Sequence, residues 1–205
     1  KCTLAYPQKY GKPGEVEREV EEFGKRVKRR IKVQNVLLED VKYWGNWVLE
    51  EAKKEIAKFY PPEPDGSIPV GYYWMRIIPC QNPVCGTKIP LTSNFWLAKK
   101  NNKKIALKPY IKDSKVEFDI VGQNEPFPKD FNPENGTIAR AVATCPVCGA
   151  VVDDKTTRKL FQEGKSGQRM IAVVLHHPQK QGKTYRIATE KDMQVFKEAE
   201  EYLKE

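Results

Sequence analysis

The sequence predicts an α+β protein, and three observations carry that expectation. Apolar residues recur at helical spacing over the first 60 positions, short extended runs surround two cysteine pairs in the middle, and strand and helix patterns alternate at the end. The 205 residues divide on this reading into an N-terminal helical hairpin (1–62), a central β region organised by cysteines (63–153) and a C-terminal stretch of mixed strands and helices (154–205). A chain of this length can bury a sizeable core.

Tyr6-Pro7 and Gly11-Lys12-Pro13-Gly14 break regular structure, so residues 1–14 read as a loop. From Glu15, the spacing of Val16, Val20, Phe23, Val27 and Ile31 predicts a helix with one apolar stripe. Its first half is acidic and its second half basic, which the helix macrodipole favours, and Glu22 stands four residues before Arg26. The basic run could contact phosphate, but a solvated helix face accounts for it more simply. Asn35 is placed to cap a second helix reaching about residue 59, with Leu37, Val41, Trp44, Val48, Ala52 and Ile56 as its core stripe, widened by Tyr43 and Trp47. Tyr60-Pro61-Pro62-Glu63-Pro64-Asp65-Gly66 ends it and marks a boundary near residue 62.

Extended runs follow at 72–78, 95–97, 105–107, 116–120 and 137–144, with a Pro-, Asn- and Gly-rich loop over 122–136. In the tail, 156–163 reads as a short helix stopped by Gly164, and 170–175 and 185–187 as strands around a turn at 179–183. Thr189-Glu190-Lys191-Asp192 resembles a capping box opening a last helix whose core face carries Met193, Phe196, Ala199 and Leu203, with Tyr202 beside them.

Within the β region the chemistry sits in two knuckles, Cys80-Gln-Asn-Pro-Val-Cys85-Gly86 and Cys145-Pro-Val-Cys148-Gly149. Each pair of thiols needs a sharp chain reversal and backbone amides turned back toward sulfur, and a glycine after the second cysteine permits the positive φ this demands. Together Cys80, Cys85, Cys145 and Cys148 make the four soft ligands of a closed tetrahedral Zn²⁺ site, a zinc ribbon. Four thiolates leave no open position for water, so the ion is structural rather than catalytic. Its loss is expected to unfold at least residues 70–150. A disulfide pairing or a redox-active pair fits less well, since nothing marks secretion and Cys145 follows an extended run rather than opening a helix. Cys2 is left over as an ordinary small apolar residue.

Net charge is +9, which suits a polyanion, although the excess is spread along the chain. The sharpest local cluster is Lys99-Lys100-Asn101-Asn102-Lys103-Lys104, read as a hairpin turn whose lysines Lys99, Lys100, Lys103 and Lys104 are candidate nucleic-acid contacts. Solvated turns are commonly lysine-rich too. Nearby, Trp96, Tyr72, Tyr73 and Trp74 could stack on bases or pack around the metal. His176 and His177, the only two histidines, have no nucleophile or carboxylate placed beside them by any motif and read as surface residues. No apolar run approaches the roughly 20 residues of a membrane helix, and no targeting or lipidation motif is visible. With its cysteines in metal spacing, the chain is expected in a reducing cytoplasm. It opens on Lys1 without an initiating methionine, which suggests a piece of a longer polypeptide.

Several stretches together resemble one family. They are Lys1-Cys-Thr-Leu-Ala-Tyr-Pro-Gln-Lys-Tyr-Gly-Lys-Pro-Gly14, Trp44-Gly-Asn-Trp-Val48, Cys85-Gly-Thr-Lys-Ile-Pro-Leu91, Phe95-Trp-Leu-Ala-Lys-Lys100 and Ala143-Thr-Cys-Pro-Val-Cys-Gly-Ala150, joined by Met170-Ile-Ala-Val-Val174 and Tyr185-Arg-Ile-Ala-Thr189. The family is the adenine-specific DNA methylases of prokaryotes that contain a zinc ribbon. The resemblance implies a segment of an S-adenosylmethionine-dependent enzyme acting on the exocyclic amine of a flipped adenine. Such an enzyme needs a glycine-rich turn for the cofactor and an Asp/Asn-Pro-Pro-Tyr/Phe loop for the amine. This chain has neither: Asn82-Pro83 and Asn132-Pro133 lack the following Pro-aromatic, and Pro61-Pro62 follows Tyr60. No catalytic residue carries over, and only the four cysteines transfer, as zinc ligands. S-adenosylmethionine is then expected outside this chain, and the partners are DNA, reached through the parent enzyme, and the rest of the methyltransferase polypeptide. The competing expectation is a free-standing zinc-ribbon module that binds nucleic acid or a protein partner.

Overall fold

A computed structural model of the protein describes residues 3–22, 25–100 and 102–204. Cys2, Phe23 and Asn101, to which the sequence assigns roles above, lie outside the described residues. The chain is α+β, as expected, and divides into two compact units, Lys1–Lys58 and Phe59–Glu205.

The first unit contains α1 (Ala5–Tyr10), β1 (Gly14–Glu22), β2 (Lys25–Val33) and α2 (Val36–Ile56). The first of the two expected N-terminal helices is therefore replaced by an antiparallel β-hairpin. Val16 pairs with Ile31 and Val20 with Val27, while Glu15, Glu17 and Glu19 stand opposite Lys32, Arg30 and Lys28. The acidic and basic halves that suit a helix macrodipole are instead two facing strands. Opposite charges across an antiparallel ladder stabilise it, and Lys28 Nζ and Arg30 Nε both lie 4.0 Å from Glu17 carboxylate oxygens. The period decides the fold: Glu15-Val16-Glu17-Arg18-Glu19-Val20 alternates strictly, and alternation is a strand signal.

The expected α2 is present, with Asn35 Oδ1 accepting from the Leu38 amide at 3.0 Å. Its apolar stripe is not a core, however. Val41, Trp44 and Val48 are 62%, 55% and 58% exposed. A β-hairpin offers a helix less cover than a partner helix does. It reaches the N-terminal part of α2, where Arg18 forms an ion pair with Asp40 and lies 4.4 Å over the Tyr43 ring. Val16 is the one large apolar side chain buried among the described residues of this unit.

The second unit contains β3 (Ile68–Pro79), β4 (Lys88–Leu91), β5 (Trp96–Lys100), β6 (Lys103–Lys112), β7 (Lys115–Val121), β8 (Ile138–Ala139), β9 (Val142–Thr144) and β10 (Val151–Val152). It continues with α3 (Asp154–Gln162), β11 (Gly167–His176), β12 (Lys183–Ile187) and α4 (Glu190–Tyr202). Three antiparallel sheets result, ordered β12-β11-β3-β4, β5-β6-β7 and β10-β9-β8. The stretches read as 63–153 and 154–205 share the largest sheet, through the pairing of β11 with β3.

Both faces of that sheet are covered. One faces β6 and β7 through Met75, Leu107, Phe118, Ile171 and Ala172; the other faces α4 through Met170, Val173, Trp74 and Phe196. This is why 170–175 is a continuous apolar run rather than an alternating one. A bulge between Met170 and Ala172 turns both Ile171 and Ala172 toward the first core. The single strand expected over 137–144 is instead the tight hairpin β8–β9, turning at Arg140 (φ 49°) and Ala141 (φ 65°). A third apolar cluster, around Ile78, Ile89, Ala143, Val152 and Leu160, encloses the cysteines.

Candidate metal centre

Each knuckle is built where one strand hands over to its neighbour. Cys80 follows β3, and its amide donates to Thr87 O at 2.8 Å, closing the loop into β4. Within it, Asn82 Oδ1 accepts from the Val84 amide at 3.1 Å and Asn82 O from the Cys85 amide at 3.1 Å, a turn in which an Asx side chain replaces a backbone acceptor. Cys145 follows β9; its amide donates to Ala150 O and its carbonyl accepts from the Gly149 amide, both at 2.9 Å. Gly86 has φ 61° and Gly149 φ 73°, the left-handed conformation expected of a residue after the second cysteine. A side chain would meet nothing within 4 Å at either glycine, so backbone conformation rather than space selects it.

The two knuckles meet. Cys80 Sγ lies 3.6 Å from Cys148 Sγ and Cys85 Sγ 3.8 Å from Cys145 Sγ, and all four sulfurs fall within 4.8 Å of one another. A disulfide would need about 2.05 Å, and the four cysteines are free. Sulfurs each about 2.3 Å from a tetrahedral ion stand about 3.8 Å apart, so the observed edges match a metal-sized centre. The four cysteines could therefore hold a metal ion, and their soft donors select among metals by chemistry rather than by size.

Burial pushes the Cys80 thiol up to about 12 and raises Cys145, whereas the Thr87 hydroxyl and amide hold Cys85 down at about 6. Amides of Asn82, Thr87, Val147 and Cys148 are turned to sulfur, the arrangement that stabilises thiolate. Thiolates this close repel one another, and a divalent ion at their centre would offset that repulsion. Thr87, bonded to Ser114 O at 2.9 Å with its Oγ1 3.2 Å from Cys85 Sγ, ties the first knuckle to the β6–β7 turn.

The other residues singled out in the sequence are dispersed. On the β5–β6 hairpin, Lys99 pairs with Lys104 and Lys100 with Lys103. Lys99 forms an ion pair with Glu134, which also accepts from Trp96 Nε1 at 2.9 Å, and Lys103 Nζ donates to Lys183 O. Of the roles expected for the aromatics, packing around the metal does not hold. Trp96 stacks on Phe127 at 5.4 Å, Trp74 packs on Phe196 at 4.8 Å, Tyr72 lies near Tyr60, and Tyr73 joins the inter-sheet core. The cluster around the cysteines contains none of them. His176 Nδ1 and His177 Nε2 contact the carbonyls of Gly182 and Asp65 at 3.3 and 3.0 Å.

Sequence reasoning missed a cleft of about 380 Å³ beside the first knuckle, lined by Cys85, Thr87, Lys88, Ser114, Lys115 and Arg169. Its lining comes from β4, β7, β11 and the turn before β7, and no single stretch signals it. No family model matches the chain, and no curated protein or solved structure matches it. Among the described residues no helix is long and apolar enough to cross a membrane.

Proposed function

We propose that the chain is the zinc-ribbon segment of an S-adenosylmethionine-dependent adenine-specific DNA methyltransferase, with a structural or DNA-docking role and no chemistry of its own. The observation that carries the reading is the meeting of Cys80, Cys85, Cys145 and Cys148 at tetrahedral spacing from knuckles about sixty residues apart. The four cysteines would hold Zn²⁺ there, which would offset part of the thiolate charge and tie the β3–β4 loop to the β9–β10 loop. The residues around it do the rest: amides orient the sulfurs, and Ile78, Ile89 and Leu160 exclude water. With all four positions filled by sulfur, the centre has no place for substrate. The cofactor and the amine-binding loop belong to the remainder of the enzyme, and the positive net charge supports DNA as its partner.

The coding sequence on either side of this segment tests the assignment. A glycine-rich motif before Lys1 and Asp/Asn-Pro-Pro-Tyr/Phe after Glu205 are the expected result. Flanks lacking both would assign the chain to a free-standing zinc-ribbon module instead.

A further inference from the structure

The lysine block at 99–104 does not act as a unit. Pairing on the β5–β6 hairpin puts Lys99 opposite Lys104 and Lys100 opposite Lys103, so the pleat sends the two pairs to different faces. The first face is partly neutralised, because Glu134 holds Lys99. The second meets another part of the chain: Lys103 Nζ donates to the carbonyl of Lys183 at the start of β12 and lies 3.7 Å from where a Cβ on Gly182 would stand. The turn that precedes β12 carries Lys180. Two lysine-bearing turns about 80 residues apart in sequence thus meet through Lys103 and Lys183, while the side chain of Gln123, just after β7, exchanges hydrogen bonds with the backbone of Tyr185 in β12 at 2.7 and 2.9 Å.

Among the described residues, none of Lys100, Lys103, Lys180 and Lys183 has a carboxylate within ion-pair distance. Asp65 is close enough to Lys180 to interact with it electrostatically, and its carboxylate also bonds Ser67. Unpaired cations in one place attract phosphate, and their affinity is carried by counterion release. The neighbouring aromatics bear on which nucleic acid fits. Trp96 is stacked on Phe127 and Tyr185 donates its hydroxyl to Leu97 O at 3.3 Å, so both rings are engaged within the fold rather than presented to an unpaired base.

We propose that Lys100, Lys103, Lys180 and Lys183 form one composite surface that grips the sugar–phosphate backbone of duplex DNA without reading its sequence. This rests on the DNA-docking reading above and gives it a location.

The test is fluorescence anisotropy of the full chain with a labelled duplex of about 20 base pairs, over a salt series. Each phosphate contact contributes about −0.9 to the slope of log K against log salt. Lys180→Gln/Lys183→Gln is expected to flatten the slope by about 1 to 2 and to weaken binding several-fold at low salt, as is Lys100→Gln/Lys103→Gln. Lys104→Gln should leave both nearly unchanged. Thermal melting of each variant checks that the fold is kept. Wild-type binding that K180Q/K183Q does not alter overturns the composite surface and leaves DNA docking standing. No duplex binding by the wild type at low salt removes the docking reading and the surface with it. Tighter binding of a single strand, or equal competition by polyglutamate, replaces duplex DNA with another partner and overturns the proposal.

Discussion

Arg186 and Asp192 are joined by two parallel hydrogen bonds, Nη1 to Oδ2 and Nη2 to Oδ1, each 2.7 Å long. The same guanidinium reaches Glu63 Oε1 with Nη2 at 2.7 Å and Nε at 3.0 Å. Asp192 also accepts from the amide and hydroxyl of Thr189, the return arm of the expected capping box, at 2.7 Å. One planar cation therefore ties the proline-rich stretch before β3, the end of β12 and the first turn of α4 together.

Acid should loosen this junction. Burial raises the Asp192 carboxyl, but hydrogen bonds from Arg186 and Thr189 outweigh it and hold the group at about 2. A depressed carboxylate contributes stability above its unfolded value near 3.9, and that contribution is lost as pH falls toward 2. Asp192→Asn is expected to cost about 2 kcal/mol at neutral pH and to remove part of the acid dependence between about pH 4 and 2. Denaturant melts of both proteins across that range provide the check; parallel pH profiles would contradict it.

The β8–β9 turn holds two residues with side chains in the left-handed region, Arg140 and Ala141. Glycine adopts that region without the Cβ penalty of about 1 kcal/mol. Ala141→Gly should therefore raise the melting temperature by about 1 to 4 °C, measured by calorimetry. A lowered value would mean that the turn is not of this type.

Hydrogen exchange should separate the two units. Among the described residues of the first unit, one large apolar side chain, Val16, is buried, whereas β3 and β11 lie between two cores. Few buried contacts mean low local opening free energy. Amides of β1, β2 and α2 are expected to exchange at least about tenfold faster than those of β3 and β11. Equal protection would show that the exposed face of α2, with Val41, Trp44 and Val48, is covered in solution.

Removing the metal should act locally. Of the three apolar clusters, only the one containing Ile78, Ala143, Val152 and Leu160 includes the cysteines. A chelator is expected to release β8, β9, β10 and α3 while the β12-β11-β3-β4 sheet keeps its protection, a narrower loss than the 70–150 stretch expected from sequence. Retained protection of β9 and β10 in the apo protein would contradict this.

What could be read from the sequence followed from how local each signal is. The knuckles were legible because cysteine spacing and the trailing Gly86 and Gly149 are set within five or six residues. Asn35 as a cap and Thr189 with Asp192 as a capping box were legible for the same reason. The N-terminal hairpin was not, because Val16 and Val20, like Val27 and Ile31, are four apart and satisfy both a helix and a strand. The alternation of Glu15, Glu17 and Glu19 with apolar or basic neighbours, mirrored by Lys28, Arg30 and Lys32, holds the deciding information. Nothing local tells that Arg186 will meet Glu63, or that the pleat will divide Lys99 and Lys104 from Lys100 and Lys103.

Cys80, Cys85, Cys145 and Cys148 are expected to hold a single zinc ion. Elemental analysis of the purified chain, beside Cys145→Ser, tests it most directly. The expected result is one zinc per chain in the wild type and a large loss in the variant. A wild type free of zinc after folding in its presence, or a variant that retains it in full, would contradict the account.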